Sequence, residues 1–199
     1  MGCAGGTDAA EPDRTGPVRL AVIIGSTRAG RSGEGVARWF ADRARARADL
    51  EVDVVDLADF DLPARYLCAV TPGVAAFIGR VERADAFAVV TPEYNHSFPA
   101  SLKQAIDYAY DEWRAKPVGF VAYGHGSEGL YAIEHLRTVF TELHMATVRG
   151  RVTFDLLASD GGPPVQDGAL ERDAEAMLDQ LAWWGLALRE ARAARPYVS

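Results

Sequence analysis

The sequence predicts an α/β fold, an open five-stranded parallel sheet with helices on both faces. Two observations carry that prediction. Five short apolar runs, rich in β-branched residues, alternate with five segments whose apolar residues recur at helical spacing. Three of the runs end in polar loops that lead straight into a helix. In such sheets ligands bind beyond the carboxyl ends of the strands, where the strand order reverses, and those three loops are expected side by side there.

The elements follow in order. Val18 to Ile24 is the first run; it breaks at Gly25, and a helical pattern begins near Gly33 with Val36, Trp39, Phe40 and Arg43. Leu50 to Leu57 alternates apolar and charged residues before turning apolar, as suits a strand near a sheet edge. Asp56 to Pro72 reads as a long proline-containing loop, of the kind that is functional or part of a contact surface. Val74, Phe77, Ile78 and Val81 mark a second helix. Asp85 to Thr91 is apolar on both faces, as a central parallel strand should be. It runs into Pro92–Pro99, after which a helix carries Leu102, Ala105, Ile106 and Ala109. Val118 to Tyr123 is the fourth strand, followed by the loop Gly124–Gly129 and a helix striped with Leu130, Ile133, Leu136, Phe140 and Leu143. Val148 to Phe154 is the last strand. Pro163-Pro164 breaks the chain, and Leu170, Met177, Leu178, Leu181, Trp184 and Leu188 line a final amphipathic helix. No internal repeat or domain boundary is visible.

Composition narrows the function classes. A chain of 199 residues with 49% hydrophobic content suits one domain with a sizeable core. A net charge of −7 argues against a nucleic-acid partner. No apolar run approaches the roughly 20 residues needed to cross a bilayer, so no membrane partner is expected. Residues 1–16 offer little to bury and are expected to form a disordered N-terminal tail, with a single domain over 17–195. The first residues match neither a myristoylation signal nor a secretory leader, and Cys3 and Cys68 are the only cysteines. The expected compartment is the reducing cytoplasm.

The loop after the first strand has the makings of an anion site. Strand, tight turn and helix N-terminus in that order bring unpaired backbone N–H groups together, and the helix dipole adds partial positive charge. Ser26 and Ser32 supply hydroxyls, and Arg28 and Arg31 supply planar cationic forks. The residues alone leave a second reading open, in which a serine only caps the helix and the arginines are solvated.

Three segments resemble the NADPH-dependent FMN reductase family, which has a flavodoxin-like fold. Gly25–Arg31 looks like its phosphate loop. Pro92–Asp107, beginning Pro-Glu-Tyr-Asn, looks like its flavin-ring segment and is the most specific of the three. Tyr123–Arg137 resembles its glycine-rich loop and the helix that follows. The resemblance implies a strand order of 2-1-3-4-5 and bound FMN. Its phosphate would be held by Ser26, Arg28, Arg31 and Ser32, and its ring system would meet Pro92, Glu93, Tyr94 and Asn95. Gly124, His125, Gly126, Ser127 and Glu128 would lie along the flavin edge. Tyr94, in a loop stiffened by Pro92 and Pro99, can serve as an aromatic platform. The third segment departs from the pattern: His125 and Glu128 stand where glycine is expected, and Tyr131 where arginine is common.

The activity implied is that of an NAD(P)H oxidoreductase. NADPH or NADH would pass a hydride to FMN, and a small-molecule electron acceptor (quinone, azo compound, flavin or metal ion) would then be reduced. The cofactor carries such chemistry, so no catalytic side chain and no metal is expected. His96 reads as a solvated loop histidine, and Asp107, Asp111 and Glu112 as a solvated helix face. Two other readings are an FMN-binding electron carrier with little NAD(P)H reactivity and a degenerate member that has lost FMN. A phosphorylated receiver domain would need an aspartate where Thr91-Pro92 closes the third strand. The family resemblance implies a homodimer or homotetramer, and Trp183-Trp184 fits this if one ring faces the core and the other faces outward.

Overall fold

The computed structural model describes residues 16–65, 69–156 and 168–198. Five strands, β1 (Val18–Ile24), β2 (Leu50–Asp56), β3 (Ala86–Pro92), β4 (Pro117–Gly124) and β5 (Ala146–Asp155), form one sheet in the order 2-1-3-4-5. Every neighbouring pair is parallel. Five α-helices connect or follow them: α1 (Gly33–Arg45), α2 (Pro72–Arg83), α3 (Ala100–Tyr108), α4 (Leu130–Glu142) and α5 (Gly168–Ala194). The sequence-based expectation holds for all ten, with ends displaced by a residue or two as helix and strand boundaries commonly are. Asp85 precedes β3, and Leu57 opens a short 3₁₀ turn after β2.

Burial follows the layer order. Every residue of β3 and β4 is buried, whereas β2 and β5, at the edges, are only partly buried. Side chains of α1 and α5 pack on one face, around Phe40, Met177 and Leu181. Those of α2, α3 and α4 pack on the other, around Phe77, Phe120, Phe140 and Trp113. Trp113 is fully buried, and its indole N–H donates to the Ile106 carbonyl at 3.0 Å, so its polar atom is not stranded in the core. Local signals explain individual ends. Thr71 caps α2, accepting from Val74 N at 3.3 Å, and Pro72 takes the first helical position, where a missing N–H costs nothing.

Two expectations need correction or fall elsewhere. Trp183 and Trp184 do not divide between core and solvent: they are 64% and 41% exposed and pack edge to face on each other. The buried stripe of α5 passes through Leu178, Leu181 and Gly185, and both indoles lie outside it. Cys3, Cys68, Pro163-Pro164 and all but Gly16 of the expected tail lie outside the described residues. No helix among the described residues is long and apolar enough to cross a membrane.

The two ends of the sheet differ in chemistry. At the amino ends of the strands, the buried Asp85 carboxylate is shared by Arg19, Arg189 and Arg192, at 3.0, 3.4 and 3.4 Å. Arg189 also donates to the carbonyls of Gly16 and Pro17, fastening the entry of β1 to α5. The opposite end holds the loops that the sequence singles out.

Candidate functional site

The first loop leaves β1 at Gly25, whose N–H donates to the Val90 carbonyl at 2.8 Å, so the turn is tied to β3. Ser32 occupies the N-cap of α1, but its side chain makes no capping bond, and the first N–H groups of the helix are left for another partner. Arg28 makes no ion pair among the described residues and faces the open end of this loop. Arg31 is differently placed. Its guanidinium holds Asp56 at 2.5 Å and Glu34 at 2.9 Å, so much of its charge is already spent within the protein. Its Nε is buried without a hydrogen-bond partner among the described residues.

The second loop is a two-residue hairpin. Tyr94 and Ser97 exchange backbone hydrogen bonds at 2.8 and 3.0 Å, and Asn95 and His96 between them both take positive φ, 49° and 59°. That is the mirror-image turn that matches strand twist, in which asparagine is favoured and histidine is mildly strained. The turn presents Tyr94, and Pro99 then starts α3. Tyr94 Oη lies 3.2 Å from Ser26 Oγ, linking the second loop to the first.

The third loop depends on Gly129. Its φ is 85°, and a Cβ there would come within 2.6 Å of Ala122 Cβ and 2.7 Å of Tyr123 N, so no other residue fits without moving β4. Glu93 clasps this loop: its carboxylate accepts from Ser127 Oγ at 2.6 Å and from Tyr131 N at 3.0 Å, in the first turn of α4. His125, though it stands at an expected glycine position, is accommodated as an exposed residue, and Gly126 N donates to Asp155 at 3.0 Å.

Together the loops enclose a cavity of about 900 Å³. Arg28, Arg31 and Ser32 line it from the first loop, Pro92, Glu93, Tyr94 and Asn95 from the second, and Gly124, His125, Gly126 and Ser127 from the third. Two expected residues do not line it. Ser26 is 1% exposed and sits behind the wall, bonded to Tyr94. Glu128 turns its carboxylate to the Thr153 hydroxyl on β5, at 3.2 Å, because its left-handed backbone (φ 55°) points the side chain outward. Sequence reasoning missed Tyr123, Tyr131 and Leu156 as lining residues. His96, read as a solvated loop histidine, is exposed, and its imidazole stacks on Tyr131 with ring centres 4.2 Å apart and planes 17° off parallel, forming one side of the mouth. Tyr123 had a usable signal, since it precedes the last residue of a central strand.

The cavity is therefore cationic and rich in N–H donors at the α1 end and aromatic toward Tyr94, Tyr131 and His96. It suits a flat ligand that carries an anionic tail. Burial pushes the Tyr123 phenol well above its ordinary pKa, and Tyr94 adds to the rise while Arg31 opposes it. The group keeps its proton throughout the working range. No cluster of three or more metal-ligating side chains exists among the described residues.

Comparison with known proteins points to one family. The family model described as NADPH-dependent FMN reductase matches residues 18–157. An NAD(P)H-dependent FMN reductase of Schizosaccharomyces pombe is 34% identical over 118 residues, 54% of this chain and 59% of that protein. A probable NADPH:quinone oxidoreductase of rice is 35% identical over 137 residues, covering 64% of this chain and 70% of its own length. A quinone reductase of Pseudomonas putida is 32% identical over 123 residues, 58% of this chain and 65% of that protein. The match thus spans 59% of the length of the fission-yeast relative. In fold, the chain is similar to a flavoenzyme NAD(P)H:(acceptor) oxidoreductase of Paracoccus denitrificans, with a TM-score of 0.68 and 23% identity over 84% of this chain and 97% of the other.

Proposed function

We propose, because this chain belongs to the NADPH-dependent FMN reductase family, that it is an FMN-dependent NAD(P)H oxidoreductase that reduces a small quinone-type acceptor. One observation carries the reading: a single cavity joins an uncapped helix N-terminus and Arg28 to a wall of aromatic side chains. A phosphate dianion needs the first and an isoalloxazine ring the second.

FMN, when bound, would supply the redox chemistry, a two-electron exchange between NAD(P)H and the acceptor. The residues of this chain bind, orient and shield. Arg28, Ser32 and the α1 N–H groups would hold the phosphate, with Arg31 contributing through whatever charge Asp56 and Glu34 leave it. Pro92, Glu93, Tyr94 and Asn95 would set the ring plane, Tyr94 through its face and the others through backbone groups. Gly124, His125, Gly126 and Ser127 would border the ring edge, where glycine allows close backbone approach. The open mouth beside His96 and Tyr131 leaves a face for the nicotinamide and then the acceptor. Quinones are favoured because several matching relatives, the rice and Pseudomonas putida proteins among them, carry quinone activity in their names.

The domain of 17–195 would be the FMN-binding unit, acting in the cytoplasm as a homodimer or homotetramer. Support for assembly comes from exposed Trp183, Trp184 and Leu186, which make an apolar strip on α5. The scarcity of cysteine fits a reducing compartment.

The test is direct. Purified protein, supplied with FMN if colourless, is expected to show the two visible flavin bands and to bleach on anaerobic addition of NADPH or NADH. Failure to bind FMN would remove the reading. FMN bound but left oxidised by both nucleotides would mark an electron carrier.

A further inference from the structure

Tyr123 is an odd occupant of its position. Its ring is 2% exposed and stacks on Phe154, with centres 5.8 Å apart and planes 23° off parallel. Those contacts account for an aromatic ring, and phenylalanine would make them all. They do not account for the hydroxyl. No described residue hydrogen-bonds to Tyr123 Oη, whereas the phenols of Tyr94, Tyr108 and Tyr197 all have partners. The hydroxyl is a donor without a partner among the described residues, on the wall of the cavity, so a phenol kept here needs an explanation.

Position supplies one. Tyr123 is the last residue but one of β4 and lines the cavity. Its hydroxyl lies against the first residue of α1, for a Cβ built on Gly33 would come within 2.9 Å of Oη. Glycine at this position makes room for the phenol at the helix start. Around the same point Ser32 leaves the helix uncapped, and Arg31 Nε is buried without a partner. A proton donor, a set of unpaired N–H groups and an unpartnered guanidinium nitrogen all meet at one end of the cavity. An acceptor with several lone pairs and negative charge suits such a set.

We propose that Tyr123 is a phosphate-binding residue whose hydroxyl donates to the terminal phosphate of FMN at the N-terminus of α1. This rests on the reading of the cavity as an FMN site. The phenol stays protonated because burial disfavours the phenolate, so it acts as a donor throughout the working pH range.

The experiment is the titration of apo-protein with FMN and with riboflavin, which lacks the phosphate, followed by flavin fluorescence. Wild type is compared with Tyr123→Phe, which keeps the ring and its stacking on Phe154. The expected result is an FMN affinity weaker by about 10- to 100-fold, the usual worth of a hydrogen bond to a charged group. Riboflavin affinity should stay within about twofold, the margin of a neutral surface change. The apo-protein of Tyr123→Phe should melt close to wild type, since no hydrogen bond within the protein is broken. Gly33→Ala is the second variant: its methyl group would crowd Oη, and it should weaken FMN more than riboflavin as well. An unchanged ratio of FMN to riboflavin affinity in Tyr123→Phe would overturn the assignment while leaving the flavin reading intact. Equal losses for both ligands would also overturn it, by placing the hydroxyl against the ring system. Wild type that bound neither flavin would overturn the flavin reading and this assignment with it.

Discussion

Ser127 donates its hydroxyl to the Glu93 carboxylate across 2.6 Å, and so joins the loop after β4 to the loop after β3. The same carboxylate accepts from the Tyr131 N–H at 3.0 Å, satisfying an orphan donor in the first turn of α4. Glu93 is thus an N-terminal cap delivered from a neighbouring strand. Its negative charge also sits where the α4 dipole favours it.

The first prediction concerns this clasp. Glu93→Ala removes both acceptors and leaves the Tyr131 N–H with water as its only alternative. A loss of about 1–3 kcal/mol in unfolding free energy is expected, measured by urea denaturation. The loosened loop borders the ring end of the cavity, so FMN and riboflavin should weaken by similar factors. A loss confined to FMN would mean that Glu93 acts at the phosphate end instead.

Arg28 should behave in the opposite way. It is the cavity-lining arginine without an ion pair among the described residues, and its removal takes a charged partner from the phosphate. Arg28→Ala should cost about 1.5–3 kcal/mol of FMN binding and leave riboflavin nearly untouched. Stability of the apo-protein should not fall, because no ion pair is broken. Arg31→Ala is expected to differ, since it strips Asp56 and Glu34 of their common partner and should lower the melting temperature.

These contrasts show what was legible in the chain. The five strands and the meeting of three loops follow from apolar periodicity and the polar loops, and the strand order from the family resemblance that the Pro-Glu-Tyr-Asn and glycine-rich segments carry. Both signals are local, and both survive folding. What local signals do not carry is the partner of a side chain distant in sequence. Arg31 reads as a ligand until Asp56, twenty-five residues away, is placed against it by the β1–β2 pairing. Ser26 reads as a phosphate donor until the Asn95-His96 turn brings Tyr94 to its hydroxyl. The indoles of Trp183 and Trp184 depend on the rotation of α5, which the stripe through Leu178, Leu181 and Gly185 fixes. Asp85 reads as the start of a strand, and three arginines from two distant segments make it a buried ionic centre.

Glu128 makes the same point and yields a prediction with near-cancelling terms. A glycine there would relieve the left-handed backbone, worth roughly 1 kcal/mol. It would also forfeit the bond from the Thr153 hydroxyl, worth about 0.5–1.5 kcal/mol, and raise the entropy of the unfolded chain by roughly 0.4–1 kcal/mol. Glu128→Gly should therefore change stability by no more than about 1 kcal/mol. Because the carboxylate faces Thr153 and not the cavity, the midpoint potential of bound flavin should match wild type at both low and high salt. A potential that rose at low salt and converged at high salt would place the carboxylate within reach of the ring.

The last prediction is a pH dependence that arises at the opposite end of the sheet. Lys116 is 6% exposed, just before β4, and its Nζ donates at 2.9 Å to the Val81 and Glu82 carbonyls at the end of α2. Nearby, Arg19, Arg189 and Arg192 surround the single carboxylate of Asp85, so the region already carries excess positive charge. Burial, aided by the Arg192 guanidinium and only partly opposed by Asp85, pulls the Lys116 pKa down from 10.5 to about 7. A neutral amine still has two N–H donors for the two carbonyls, so deprotonation does not break the contact. Between pH 7 and pH 10 the unfolded chain binds a proton at this residue that the native chain does not. Stability therefore rises with pH across that window, by at most about 1.4 kcal/mol per unit, and the gain is absent below pH 7, where both states are charged. Asp85 adds nothing to the slope there. Burial would raise its carboxyl, but the hydrogen bonds and charge of Arg19, with the charge of Arg189, hold it below the ordinary value, so its linkage lies in acid. Urea denaturation of wild type and Lys116→Met at pH 7, 8 and 9 isolates the effect, because other titrating groups cancel in the difference. Wild type should gain about 2 kcal/mol on the variant from pH 7 to pH 9. A difference that stayed flat would show that Lys116 remains charged in the native state, held by the two carbonyls against the cost of its burial.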